Sequence, residues 1–334
     1  MDTTTAETRV AVVMITHNRV QEVMRSLDNL GRMPENPRIV LVDNGSRDGT
    51  ASVVAERFPK VEVIHLKENL GASARTIGVR HVDAPYVAFC DDDTWWEAGS
   101  LHAAADLFDG RSRLAVLTAR VLVGPENQED PVCTLLAESP LAREPEMPGP
   151  ALLGFLAGAS VIRRSAFLKA GGFEPRFFIG GEEELLAADL AADGWWLCYA
   201  SGLVVHHYPS RQRDASGRRD TMTRNALWFA WMRRPMPVAI RKTWQTVWHE
   251  PWSGKTWRVL AETVRGLPWA LRQRRVLPPR VEQGLRLLEA GSPCSSNTSS
   301  SAIAFPQEPS ASPMTTDQAT VRGPLEGLAP GPQS

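Results

Sequence analysis

The chain has 334 residues, 43% hydrophobic and 22% charged, with 37 Lys+Arg against 38 Asp+Glu for a formal net charge of −1. These figures exclude a collagen, a wholly disordered chain and a disulfide scaffold, and the length suits one large or two small globular domains. The small net charge conceals a division: residues 1–210 carry −10, residues 211–290 carry +11 with seven of the eleven tryptophans, and residues 291–334 carry −2.

The first ninety residues alternate regularly. Residues 10–15, 39–42, 61–66 and 86–89 are short apolar runs rich in β-branched side chains, the pattern of strands covered on both faces. Between them, residues 20–30 place Val20, Val23, Met24, Leu27 and Leu30 on one helical face. A second helix starts after Thr50 and stops at Phe58-Pro59, with Ala51, Val54, Ala55 and Phe58 turned inward, and a third spans 72–82. Strand and helix alternating at this spacing predict right-handed βαβ units and an α/β fold. Further on, residues 114–123 read as one or two strands, and 124–150, rich in Pro and Glu, as a mobile loop. Residues 158–162 form a strand, and 165–170 a short helix stopped by Gly171-Gly172. A helix over 182–192 ends at Gly194, followed by strands at 195–199 and 203–205. Residues 219–290 have helical periodicity, with Pro235, Pro237, Pro251, Pro268, Pro278 and Pro279 expected to cut them into short pieces. From Gly291 the chain turns to Ser, Thr, Pro and Gly, too poor in large apolar residues to offset its ordering entropy, and is assigned as disordered.

The four cysteines, Cys90, Cys133, Cys198 and Cys294, form no CxxC pair, so neither a zinc site nor a disulfide framework is signalled, and a reducing compartment is expected. The polar N-terminus lacks the order of a signal peptide, and no apolar stretch approaches the ~20 residues that span a bilayer. A cytoplasmic location is the expectation.

Ligands of open α/β sheets bind at the carboxyl ends of the strands. There the sequence offers Thr16-His17-Asn18-Arg19, Asp43-Asn44-Gly45-Ser46, Asn69-Leu70-Gly71 and Asp91-Asp92-Asp93. No GxGxxG follows the first strand and no GxxxxGK[ST] occurs, which removes the dinucleotide fingerprint and the P-loop. Three successive aspartates beside a buried strand repel one another unless a cation joins them, and oxygen ligands suit Mg2+ or Mn2+; a solvated acidic turn explains them equally well. Glu182-Glu183-Glu184, after Gly180-Gly181, could be acids placed favourably on a helix dipole. His206-His207 point to opposite faces of any strand, so at most one can face a site directly. The paired tryptophans read as core, with Trp95 the expected exception because it follows the acidic motif.

Taken together, VVMITHNR, VDNGSRDGT, NLGASARTIGVR, FCDDDT, GGFEPRFFIGGEEELLAADLAADGW and VVHHYPS, in that order, resemble the family 2 glycosyltransferases of GT-A fold over about residues 9–210. The resemblance implies a GT-A-like open mixed sheet with flanking helices as a nucleotide-sugar-binding and catalytic domain over 1–210. A basic, Trp-rich helical region (211–290) and the disordered tail (291–334) follow it. It implies that Thr16, Asn18 and Arg19 wrap the nucleoside. Asp43 accepts a hydrogen bond from the base, which favours UDP- or dTDP-sugars, although Asp-Asn-Gly-Ser also suits a plain turn. Asn69, Gly71 and Arg75 line the nucleotide, with a surface ion pair as the other reading of Arg75. Asp91 and Asp92 reach ribose or a metal-bound water, and Asp91, Asp93 and His206 ligate Mn2+ or Mg2+. Glu183 is the general base of a metal-dependent inverting displacement, with Glu182 or Glu184 its possible substitute. Leu185 stands where the family frequently has a further Asp.

The implied activity is sugar transfer to an acceptor hydroxyl in cell-surface polysaccharide, glycolipid or secondary-metabolite glycosylation. A sugar-nucleotide pyrophosphorylase and a non-catalytic nucleotide- or lipid-binding module are the rivals. For residues 211–290, Arg and Trp suit peripheral contact with an anionic membrane at its cytoplasmic face or packing on the acidic domain; no nucleic-acid motif accompanies them.

Overall fold

A computed structural model describes residues 9–209, 215–249 and 254–291. The chain runs β1 (Val10–Thr16), α1 (Val20–Leu30), β2 (Ile39–Asp43), α2 (Thr50–Arg57), β3 (Glu62–His65), α3 (Ala74–His81), β4 (Tyr86–Asp91), β5 (Thr94–Trp96) and α4 (Ser100–Asp109). It continues through β6 (Leu114–Val123), β7 (Gln128–Glu129), α5 (Pro131–Ala137), β8 (Ser160–Arg163), α6 (Arg164–Lys169), α7 (Glu182–Ala192) and β9 (Trp196–His207). Then come α8 (Ala215–Arg233), α9 (Met236–His249), α10 (Gly254–Arg272) and α11 (Pro279–Gly291).

The strands form one mixed sheet in the order β3-β2-β1-β4-β8-β6-β9-β5, with β7 beside β6. β3, β2, β1 and β4 are parallel, β8 is antiparallel to both β4 and β6, and β9 runs parallel to β6. The apolar runs explain this arrangement. Val12, Val13, Val40, Leu41, Val42, Val87 and Phe89 have no solvent exposure, and each such side chain contributes about 1.5–3 kcal/mol on burial. β3 departs from the expectation: it is the edge strand, and its residues are partly exposed. On α2, Val54 is buried but Ala55 faces solvent, because that helix covers the edge of the sheet rather than its middle.

Three further expectations are corrected. Residues 124–150 are not a featureless loop: they hold β7 and α5, whose N-terminus is capped by the Asp130 carboxylate accepting from Val132 N, with Val132, Cys133 and Leu136 buried. The two strands anticipated at 195–199 and 203–205 are one strand, β9, in which residues 201–203 bulge out of register with β6. Pro268 does not break α10, which runs 19 residues through it. Its ring lies on the exposed face, where the carbonyl of Val264, deprived of its partner, can meet water. Cys90, Cys133 and Cys198 are buried free thiols. The tail assigned as disordered lies outside the described residues apart from Gly291.

The last four helices pack behind α7. Phe177, Leu185 and Ala188 share a core with Trp228, Phe229 and Met232 of α8, Ala270 of α10, and Val281 and Leu285 of α11. Gly266 lets α10 approach α8, since a Cβ there would lie 2.4 Å from the Trp228 ring. Part of the positive charge is used internally: Arg233 forms two bonds to Asp189 (2.6 and 2.9 Å), and the buried Arg234 pairs with Glu282 and Glu289.

Candidate active site

The sheet's carboxyl edge assembles the predicted strand ends. In register, Thr16 stands opposite Asp43, Ile15 opposite Asp91, and Asp43 opposite His65. Asp43 is fully buried; its Oδ1 accepts from Ser46 N (3.0 Å) and from the Ser46 hydroxyl, while Oδ2 faces His65 Nδ1 at 2.9 Å. The turn reading of Asp43 is therefore present, and the oxygen facing half-exposed His65 is the one a base could reach. Asn44, to which the sequence assigned no role, ties this turn to the next loop. It donates to Gly71 O and accepts from Leu70 N, both at 3.1 Å.

Several residues expected to line the nucleotide are engaged in building the loops. Thr16 is buried and donates to Asp92 Oδ2 at 3.1 Å, so its hydroxyl positions the acid cluster rather than wrapping a ligand. Asn18, at φ +53°, accepts from Arg47 N (2.7 Å) and donates its own N–H to Ser46 Oγ (2.8 Å). Asn69 closes a turn by accepting from Gly71 N at 2.8 Å. Gly71 sits at φ +61° where a Cβ would meet Phe178 O at 2.1 Å, so only glycine fits between this loop and the segment before α7.

Asp91, Asp92 and Asp93 have different surroundings. The half-exposed Asp91 carboxylate pairs with buried Arg75, which corrects the surface ion-pair reading of that arginine. Arg75 Nε is buried with no hydrogen-bond partner, a donor suited to a phosphate oxygen. Arg19 Nη1 lies 3.5 Å from Asp92 Oδ1 and 3.6 Å from Asp93 Oδ2, bridging the two. Burial and then the neighbouring Asp93 push the Asp92 carboxyl up to about 8, with Arg19 opposing the shift.

The histidine expectation is corrected. In the antiparallel pairing of β5 with β9, His206 stands opposite Trp95 and His207 opposite Thr94. The Trp95 and His206 rings stack 5.5 Å apart, and His206 meets Glu97 Oε2 (3.2 Å) and Asn127 Oδ1 (3.0 Å). His207 Nε2 lies 3.7 Å from Asp93 Oδ1. The histidine at the acid cluster is thus His207, and Trp95 shares the face of His206 rather than that of the acids. Among the described residues no group of three or more His, Cys, Asp and Glu is arranged to hold a metal ion by itself. The carboxylate oxygens of Asp91 and Asp93, at an open strand end, are the donor type that fits a hard cation also bound by a diphosphate. Gly158 supports that fit: a Cβ there would lie 2.5 Å from Asp91 Oδ2, so the carboxylate rests on bare backbone.

The turn Ala157–Ala159 also holds the second acidic group. Ala157 N donates to Glu183 Oε1 at 2.8 Å, while Thr94 Oγ1 donates to Gly158 O at 3.3 Å. Burial raises the Glu183 pKa above the usual carboxylate range, with nearby Asp91 adding to it and Arg75 and Arg218 opposing it. Glu182 is buried, its Oε2 lacks a partner, and burial followed by the charge of Glu183 lifts its pKa to about 8. The glutamates begin α7 after Gly180 and Gly181, at φ +83° and +93°. Asn225 of α8 fixes this approach: its fully buried Nδ2 donates to Phe177 O (2.8 Å), Ile179 O (3.2 Å) and Gly180 O (2.6 Å). A lone Asn in a helix interior carries no motif, so nothing in the sequence signalled it.

A mixed sheet of this order, acids at its carboxyl edge and paired glutamates opening the facing helix, makes the protein a glycosyltransferase of GT-A fold. Residues 11–171 match the model of the family described as Glycosyl transferase family 2. A relative from Mycobacterium tuberculosis, N-acetylglucosaminyl-diphospho-decaprenol L-rhamnosyltransferase, is 28% identical over 277 residues, covering 69% of this chain and 88% of the relative. Two solved structures share the fold. The mannosyltransferase PcManGT of Pyrobaculum calidifontis, in complex with GDP-Man and Mn2+, has a TM-score of 0.51 at 18% identity over 85% of this chain and 75% of its own. S. aureus TarS 1–349, in complex with UDP-GlcNAc, has a TM-score of 0.52 at 14% identity over 78% and 73%.

Proposed function

We propose that the protein transfers a sugar from a nucleotide-diphosphate donor to an acceptor hydroxyl in a single inverting displacement. The observation that carries this reading is the turn at Ala157–Gly158, which holds the Glu183 carboxylate with one residue and supports Asp91 with the next. Glu183, made more basic by burial, takes the proton of the acceptor hydroxyl. That oxygen bonds to the anomeric carbon as the bond from this carbon to the diphosphate breaks on the opposite face. Arg75, through its unpartnered Nε, and Arg19 bind the phosphates. Asp91 and Asp93, with His207, would hold a divalent cation, Mn2+ or Mg2+, which when bound neutralises charge on the departing diphosphate. Asp43 Oδ2, released by rotation of His65, accepts the imide N–H of uracil or thymine, which favours UDP- and dTDP-sugars.

The mycobacterial relative, whose name specifies a lipid-diphosphate acceptor, supports an acceptor of that class, in cell-surface polysaccharide or glycolipid assembly. An acceptor of that class agrees with the reading of residues 211–290 as a region of peripheral contact with an anionic membrane. The test is calorimetric titration of UDP, dTDP and GDP into the full chain, with and without Mn2+. Metal-dependent binding of UDP or dTDP, abolished by Asp93→Ala, bears out the donor site. Metal-independent or absent binding of all three overturns it.

A further inference from the structure

The helices α9 and α10 expose what a packed helix normally hides. On α9, Val238, Ala239 and Thr246 are buried, whereas Met236, Ile240, Trp244 and Trp248, four residues apart, face solvent. Trp244 and Trp248 are 63% and 57% exposed, with their ring centroids 5.2 Å apart. On α10 the buried side is Val259, Thr263, Gly266 and Ala270, the small residues that let α8 approach. Its opposite side carries Trp257, Ala261, Val264, Pro268 and Leu271, all exposed, a continuous apolar stripe at alternating spacings of four and three. Directly beside it runs Arg258, Arg265 and Arg272, one arginine every seven residues. Among the described residues Arg241 of α9 and Arg265 and Arg272 of α10 form no ion pair; Arg258 pairs only with Glu262. Both helices pack against α8.

We propose that these two stripes are a docking face for an anionic lipid bilayer, with the tryptophans and aliphatic residues seated at headgroup depth and the arginines paired with lipid phosphates. Exposed Trp beside an unpaired arginine row matches the interfacial zone, where aromatic rings rest between water and hydrocarbon. Each cation at the surface adds to the attraction for anionic headgroups. Among the described residues no helix is long and apolar enough to cross a membrane, so the contact is in the plane of the surface. A second copy of the chain is the disfavoured occupant: a two-fold pairing along α10 would bring its own arginine row against an identical row. The inference deepens the reading of a membrane-borne acceptor and rests on it only for its purpose, since docking itself is measured without substrate.

The test is co-sedimentation of the full chain with vesicles of phosphatidylcholine alone and of phosphatidylcholine with about 30% phosphatidylglycerol. The parent binds the anionic vesicles at least tenfold more tightly than the neutral ones, and the difference shrinks as salt rises. Trp244→Glu with Trp248→Glu, and separately Arg265→Glu with Arg272→Glu, each lower binding at least tenfold. Circular dichroism and thermal melting of the same variants match the parent, which shows that they are folded whether or not the donor site binds nucleotide. Equal binding to both vesicle types, no binding to either, or variants that bind like the parent overturn the proposal. So does a dimer in light scattering that the tryptophan pair of substitutions dissolves, which assigns the face to a second copy.

Discussion

The Glu183 carboxylate accepts a 2.8 Å hydrogen bond from the backbone N–H of Ala157, and the next residue, Gly158, lies against the carboxylate of Asp91. A single turn of backbone therefore sets the spacing between the group read here as proton acceptor and the group read as cation ligand. A backbone donor is well suited to this, because it fixes one carboxylate oxygen and leaves the other for the acceptor hydroxyl.

Removing either end of that bond has distinct outcomes. Glu183→Gln keeps the size and the bond from Ala157 but loses the base, and kcat is expected to fall on the order of 10²–10⁴-fold with donor affinity unchanged. Ala157→Pro replaces the N–H with the ring Cδ, so Glu183 loses its donor and is pushed away from the turn. The preceding Leu156 is extended (φ −100°, ψ 107°) and so tolerates a following proline. Losing one hydrogen bond to a charged group, ~1.5–3 kcal/mol, predicts at least a tenfold fall in kcat. Steady-state rates and nucleotide titration distinguish the two.

Gly158→Ala inserts a Cβ 2.5 Å from Asp91 Oδ2 and must displace that carboxylate. The expected result is a normally folded protein by circular dichroism whose Mn2+-dependent nucleotide binding is weakened tenfold or more, with little change in its metal-free binding.

The two histidines separate cleanly. His207→Ala should weaken the apparent Mn2+ affinity on the order of 10–100-fold, and His206→Ala less than twofold, measured by metal titration in the presence of diphosphate nucleotide. Equal effects would contradict the assignment of His207 to the acid cluster.

Glu182 makes stability depend on pH. Its folded pKa, about 8, lies above the ordinary value of 4.5, so the folded state is favoured by the protonated form. That contribution is complete below pH 4.5 and is lost as pH rises through 8. Urea midpoints of the parent should fall between pH 5 and pH 8 by an amount equivalent to ~2 kcal/mol or more, and Glu182→Gln should flatten that slope. An unchanged slope in the variant would place the titration elsewhere.

Much of the sheet was legible because its signal is local. The runs of β1, β2 and β4 are apolar up to their polar last residues, Thr16, Asp43 and Asp91, as a strand covered on both faces requires, and the helices between them show their inner faces plainly. The triple aspartate and the glutamates after Gly180-Gly181 stood out for the same reason. The histidine choice was not legible. Which face His206 takes depends on the three-residue bulge of β9, an odd insertion that reverses its alternation relative to β6, and on pairing with β5 far away in sequence. Nor could residue types reveal that Thr16 and Gly71 are committed to holding loops together, since their neighbours, Asp92 and Phe178, are distant in sequence.

Asn225 has a practical consequence for anyone who would treat this enzyme as separable parts. Its one amide nitrogen serves three carbonyls of the chain leading to Glu182, although it comes from the basic region whose composition sets it apart. Truncating the protein near residue 210, or transplanting another helical region onto it, would strip those carbonyls of their donor unless the graft supplied an amide at the same place. The change of composition at that point marks where the chain changes character, and it is the wrong place to cut.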